Sequence, residues 1–202
     1  MKTPVWKSAA LAALLLVPAL ADGADQPPLK VTVSILPQSF FAREIGGEQV
    51  EVQVLVGPGH SPATFEPTPR QLAGLQDSDL FIAAAVPFER GLVPRVEGLP
   101  NGPKLVGPRL KAGQDHHDHG HDGHHHHGID PHTWLDPMQA ADMARNMAQA
   151  FGEMRPEYQR VFQRRLADLV AKLEALDQEI RRLLAPHRGK RIFVYGEQGL
   201  GD

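Results

Sequence analysis

Eight of the twelve residues from His116 to His127 are histidine, and the other four are Asp and Gly. Neutral imidazole is the commonest protein ligand for zinc, copper and nickel. Aspartate adds oxygen donors, and glycine lets a loop fold around an ion. A segment of this composition buries no apolar area and is costly to order, so it cannot be part of a packed core. His116, His117, His119, His121, His124, His125, His126 and His127 therefore read as a metal-collecting loop, several imidazoles acting multivalently. A ninth histidine, His132, sits in a different setting, Asp130-Pro131-His132-Thr133-Trp134-Leu135-Asp136-Pro137. Held between two Asp-Pro steps beside a tryptophan, it reads as a fixed ligand. Asp130 or Asp136 is either the carboxylate that orients it or a turn-former.

A further candidate is His60, in the loop Gly57-Pro58-Gly59-His60-Ser61-Pro62, with Glu66 a candidate oxygen ligand close behind. His187, beside Arg188 and Lys190, reads as a cap that complements a helix C-terminus. The chain has no cysteine, which excludes thiolate zinc sites and leaves His and carboxylates as the available donors. It also has no His-Glu-x-x-His and no Gly-x-Ser-x-Gly, so the zinc-hydrolase and serine-hydrolase readings lack their signatures. No catalytic residue is assigned, and no enzyme activity is expected.

The elements that must position these residues are legible along the chain. Lys2 and Lys7 precede an apolar run, Ala9 to Leu20, and Ala19-Leu20-Ala21 has the small-x-small pattern of a cleavage site. Residues 1–21 therefore read as a secretory leader, with no Cys at the junction to carry a lipid. Removing them takes away two lysines and no acids, so the net charge goes from 21 − 24 = −3 to 19 − 24 = −5. Such a surface does not suit nucleic acid. Lys30–Leu36, Val50–Val56, Asp79–Ala85 and Lys104–Val106 read as strands. Between them lie helical stretches at Gln38–Ile45, Thr68–Gln76 and Phe88–Val96. This β-α-β order predicts an α/β fold, a parallel four-stranded sheet with helices on both faces, which takes ligands at the carboxyl ends of its strands. Met138–Phe151 reads as an amphipathic helix. From Pro156 to about Leu184 a second helix carries Val161, Leu166, Leu169, Leu173, Leu176, Ile180 and Leu183 at three- and four-residue steps. Arg191–Tyr195 then reads as the first strand of another sheet.

The quoted stretches resemble the periplasmic solute-binding proteins of metal-ion ABC transporters, in the zinc-uptake branch. The resemblance runs from about Val31 to Tyr195. It rests on VTVSILPQSFFAREIGG, VLVGPGHSPATFEPTPRQL, SDLFIAAAVPFE, the His-rich insertion, DPHTWLDP and the long helix ending in GKRIFVY. The resemblance implies two α/β lobes joined by a long rigid helix, with one Zn2+ held in the cleft as the transported ligand. It also implies ligands from the first-lobe loop, from His132 and from the second lobe. The chain departs from the pattern twice. Relatives commonly place the first-loop histidine where this chain has Ala63, and they carry a histidine after the second-lobe strand where this chain has Gly196.

The expected organisation is a leader at 1–21, an N-terminal α/β lobe at 29–112, a His-rich metal-binding loop at 113–129 and a ligand motif with its helix at 130–153. A bridging helix at 154–187 and the start of a C-terminal lobe, cut short, at 188–202 complete it. The implied function is high-affinity capture of Zn2+ in the periplasm, by a monomer, and delivery to a membrane permease. The alternatives are a periplasmic zinc buffer or metallochaperone, or a binding protein for manganese, nickel or copper.

Overall fold

The computed structural model describes residues 26–108 and 132–190. Four parallel strands, β1 (Leu29–Ile35), β2 (Val50–Val56), β3 (Leu80–Ile82) and β4 (Lys104–Val106), form one sheet in the order β2-β1-β3-β4. The strand order reverses between β1 and β3, because the chain leaves β1 for one neighbour and returns to its other side. In open α/β sheets that switch point opens a crevice beyond the strand ends.

Alternating burial decides which helix covers which face. Val31, Val33, Leu80 and Ile82 point into the larger cluster with Phe41, Ile45, Met147, Phe151 and Phe162. These come from α1 (Leu36–Gly46), α4 (Pro137–Met154) and α5 (Gln159–Leu184). Leu55 and Phe81 point the other way, against Leu75 of α2 (Pro69–Gln76) and Leu92, Val93 and Val96 of α3 (Glu89–Glu97). Phe81, Phe151 and Phe162 are fully buried, and each such side chain contributes roughly 1.5–3 kcal/mol. The helices thus cover both faces of the sheet. α1 begins two residues earlier than the sequence pattern suggests, with Pro37 in its first turn. It stops at Gly47, whose φ of 56° is open to glycine without strain.

One expectation is corrected. The third strand does not run from Asp79 to Ala85 but only over Leu80–Ile82. Ala85 adopts φ 56°, a left-handed conformation that costs a residue with a Cβ about 1–2 kcal/mol, and the Ala84 N–H turns away to the Glu89 carboxylate at 2.8 Å. The apolar stripe of the long helix is buried only in its first half. Phe162 and Leu169 are its buried residues, Leu166 and Leu173 pack at the margin, and Leu183 is 59% exposed. Phe162, against Phe151 at 5.7 Å between ring centroids, is the anchor that a count of aliphatic residues overlooks. At 1.5 Å per residue, α5 is roughly 39 Å long, and its first half packs on α1 and α4 while Leu176, Leu183 and Leu184 stand exposed. The leader, the His116–His127 loop, Asp130 and the Arg191–Tyr195 segment lie outside the described residues.

Candidate metal site

His60 and His132 stand at the carboxyl edge of the sheet, and an aromatic ring places each. Ile35 at the end of β1, Val56 at the end of β2, and Ala84 and Val86 just past β3 form a small buried cluster, on which Phe65, Phe88 and Trp134 pack. The His60 ring lies edge-on to Phe65, 6.2 Å between centroids, and Phe65 in turn packs edge-on to Phe88 at 5.2 Å. The His132 ring lies 5.2 Å from Trp134. Two loops far apart in sequence therefore hold their imidazoles one ring away from the same apolar seat.

The loop carrying His60 is fastened at its ends. Thr68 and Gln71 cap α2 reciprocally: the Gln71 N–H donates to Thr68 Oγ1 at 3.3 Å, and the Thr68 N–H donates to Gln71 Oε1 at 3.0 Å. Gln71 Nε2 also donates to the Leu55 carbonyl at 2.8 Å, which ties the helix to β2. Between these fixtures, His60 is exposed, and its Nδ1 lies 3.2 Å from the Pro58 carbonyl. In the tautomer that donates from Nδ1, Nε2 keeps its lone pair for an ion. His60, Ser61, Thr64, Glu66 and Gln71 line one open groove of about 490 Å³, so His60 and Glu66 share a surface.

His132 precedes a single 3-10 turn, Thr133–Leu135, closed by the Leu135 N–H donating to the His132 carbonyl at 3.0 Å. Asp136 is the N-cap of α4: its Oδ1 accepts from the Met138 and Gln139 N–H groups at 2.8 and 3.0 Å. The Gln139 N–H, foremost, holds the Asp136 carboxyl below the usual carboxylate range. The Asp136 carboxylate thus caps α4. His187 ends a short 3-10 turn after α5, its Nδ1 3.4 Å from Lys190 Nζ. A cleft of about 190 Å³ between the sheet edge and α4 is bordered by Gln38, Ala84, Gly107, Pro108, Thr133 and Asn146.

His60, Glu66 and His132 do not form a closed three-ligand set. Among the described residues no three His, Asp or Glu side chains stand close enough together to hold one metal ion. Sequence reading overlooked two buried polar residues beneath the site, Gln38 and Glu89, each 1% exposed. Burial pushes the Glu89 carboxyl up, opposed by nearby backbone N–H groups, of which the Ala84 N–H donates to Glu89 Oε1 at 2.8 Å. Among the described residues no helix is long and apolar enough to cross a membrane.

This is the architecture of a lobe from the solute-binding proteins of metal-ion transporters. The profile of the family described as zinc-uptake complex component A, periplasmic (ZnuA) matches residues 31–200, and the chain belongs to that family. It is similar to the zinc-binding lipoprotein AdcA of Streptococcus pneumoniae, 28% identical over 179 residues, which covers 84% of this chain and 36% of that protein. Similarity to the high-affinity zinc uptake system protein ZnuA of Bacillus subtilis is 26% over 181 residues, covering 86% of this chain and 56% of that protein. The chain thus spans about a third to a little over half of the length of these relatives. A crystal structure of ZnuA superposes with TM-score 0.68 at 29% identity, covering 84% of this chain and 64% of that one. A zinc-bound internal-deletion mutant of ZnuA superposes with TM-score 0.65 at 30% identity, covering 79% and 59%.

Proposed function

We propose that this protein is the zinc-capturing component of an ABC transporter: exported by its leader to the periplasm, it binds Zn2+ as cargo and hands it to a membrane permease. No bond is made or broken, and the protein is not an enzyme. His132 and His60 supply imidazole nitrogens, Glu66 is the oxygen donor within reach of His60, and the His116–His127 loop raises the local ion concentration. The observation that carries this reading is the seating of both imidazoles, through Trp134 and Phe65, on one apolar cluster at the switch point. Membership in the zinc-uptake family and the relatives named for zinc binding favour zinc over manganese, nickel or copper.

A buffer or metallochaperone without a permease is the second reading. Calorimetric titration of the leader-free chain with zinc separates these ideas. The expected result is one tight event lost in His132→Ala and several weaker events lost on deleting 116–127. A tight event that survives His132→Ala would refute the site. Retention of the cognate permease on the immobilised zinc-loaded protein favours delivery, and its failure to bind favours the buffer.

A further inference from the structure

β1 and β3 pair only over Val31–Leu80, Thr32–Phe81 and Val33–Ile82, and beyond Ile82 they part. Their next backbone groups have no ladder partner across the gap, and buried N–H and C=O groups must be satisfied somewhere. Two side chains do this. Gln38 Oε1 accepts from the Ser34 and Ile35 N–H groups at 3.1 and 3.3 Å, while its Nε2 donates to the Ala83 carbonyl at 3.0 Å. Glu89 Oε1 accepts from the Ala84 N–H at 2.8 Å. Its other oxygen and the Ser34 hydroxyl are both buried, and neither completes a hydrogen bond. The Glu89 N–H donates to the Val86 carbonyl at 3.0 Å, so residues 84–89 close on themselves around the left-handed Ala85.

Burying a carboxylate with one oxygen unsatisfied opposes folding, and an apolar side chain of the same volume would fill the space without that cost. Stability alone therefore does not account for Glu89. Its position does: Ile35, Ala84 and Val86, which Gln38 and Glu89 hold, are three of the four residues that seat Trp134 and Phe65.

We propose that Gln38, which spans the crevice between β1 and β3, and Glu89, which ties the Ala84 N–H on the β3 side, form one brace, with Glu89 the positioning residue that fixes the seat of the two zinc-binding imidazoles. The brace touches no metal. It acts through Ala84 and Val86 on the rings that carry His132 and His60, and it rests on the zinc-site reading above.

The probe is cobalt(II) in place of zinc, read by quenching of Trp134, whose ring lies 5.2 Å from His132. The leader-bearing chain is titrated, the His132-dependent part of the quench being taken by difference from His132→Ala. Trp6 is the chain's one other tryptophan, and its share of the signal is removed by the same difference. Glu89→Gln keeps the acceptor oxygen in reach of Ala84 and removes the charge. Glu89→Asp keeps the charge and withdraws the oxygen by one methylene. The expected result is a half-quenching concentration within threefold of wild type for Glu89→Gln and at least tenfold higher for Glu89→Asp. Urea midpoints for both variants confirm folding, and if Glu89→Asp does not fold, Gln38→Asn replaces it with the same expectation. A Glu89→Gln chain that binds weakly, or a shortened variant that binds like wild type, overturns the brace. A wild-type quench indifferent to His132→Ala fails the zinc site itself, a different result from either.

Discussion

His132 and His60 reach the same rim of the sheet by different means. His132 stands at the start of a hydrogen-bonded turn, four residues before the N-cap of an 18-residue helix, with Trp134 seated in the cluster behind it. His60, exposed like His132, stands in the middle of a Pro- and Gly-rich loop tied only at its ends, with one edge contact to Phe65. A ligand already fixed loses little freedom when an ion arrives, whereas ordering each loop residue costs about 1–2 kcal/mol. Under the proposed site, one histidine is therefore a preset anchor, and the other is an arm that closes on what the anchor holds.

The largest expected effect separates the two directly. His132→Ala should weaken zinc by upwards of about a hundredfold, beyond the 10–100-fold that residues outside the ligand set carry. His60→Ala should cost about tenfold, near 1.4 kcal/mol, because part of its contribution is spent on ordering the loop. Competition against a chromophoric chelator measures both, and equal losses would erase the contrast. A smaller effect is expected from Trp134→Ala. Removing a half-buried ring should lower stability by about 1–3 kcal/mol and loosen zinc severalfold, read by urea denaturation and the same competition assay.

The smallest effect concerns the cap. The folded-state pKa of Asp136 is lowered, so its stabilisation is complete above the unfolded value of about 3.9 and fades as pH falls through the folded value. Asp136→Asn, still a good N-cap, should flatten that acid limb in urea midpoints taken from about pH 6 to 3. Asp136→Ala should lose about 1 kcal/mol at neutral pH.

What could be read from sequence followed from periodicity and punctuation. β2, β4 and the Thr68-Pro69 start of α2 lie where alternation and capping chemistry place them. His132 stood out because Asp-Pro steps and a tryptophan fix the backbone around it. Glu89 and Gln38 were invisible, since a buried acid or amide has the same letters as a solvated one, and only the parting of β1 from β3 gives them their place. Ala83-Ala84-Ala85 looks like continued strand, and nothing local signals that a carboxylate five residues on will bend it away. Phe162 was missed because the helix offered an aliphatic stripe that draws the eye, while the residue that docks is aromatic and one position along from Val161.

Gly107 has φ 103°, and a Cβ there would sit 2.5 Å from the Ala83 carbonyl, so the exit of β4 is locked against the exit of β3. Pro108 and Thr133, flanking the histidine-bearing stretch, border one cleft at that spot. The lobe thus gives out the stretch and takes it back at one place on its surface. Under the proposed zinc capture, inserts of different length or histidine content can be exchanged there without rebuilding the sheet, because closure entropy grows only slowly with length.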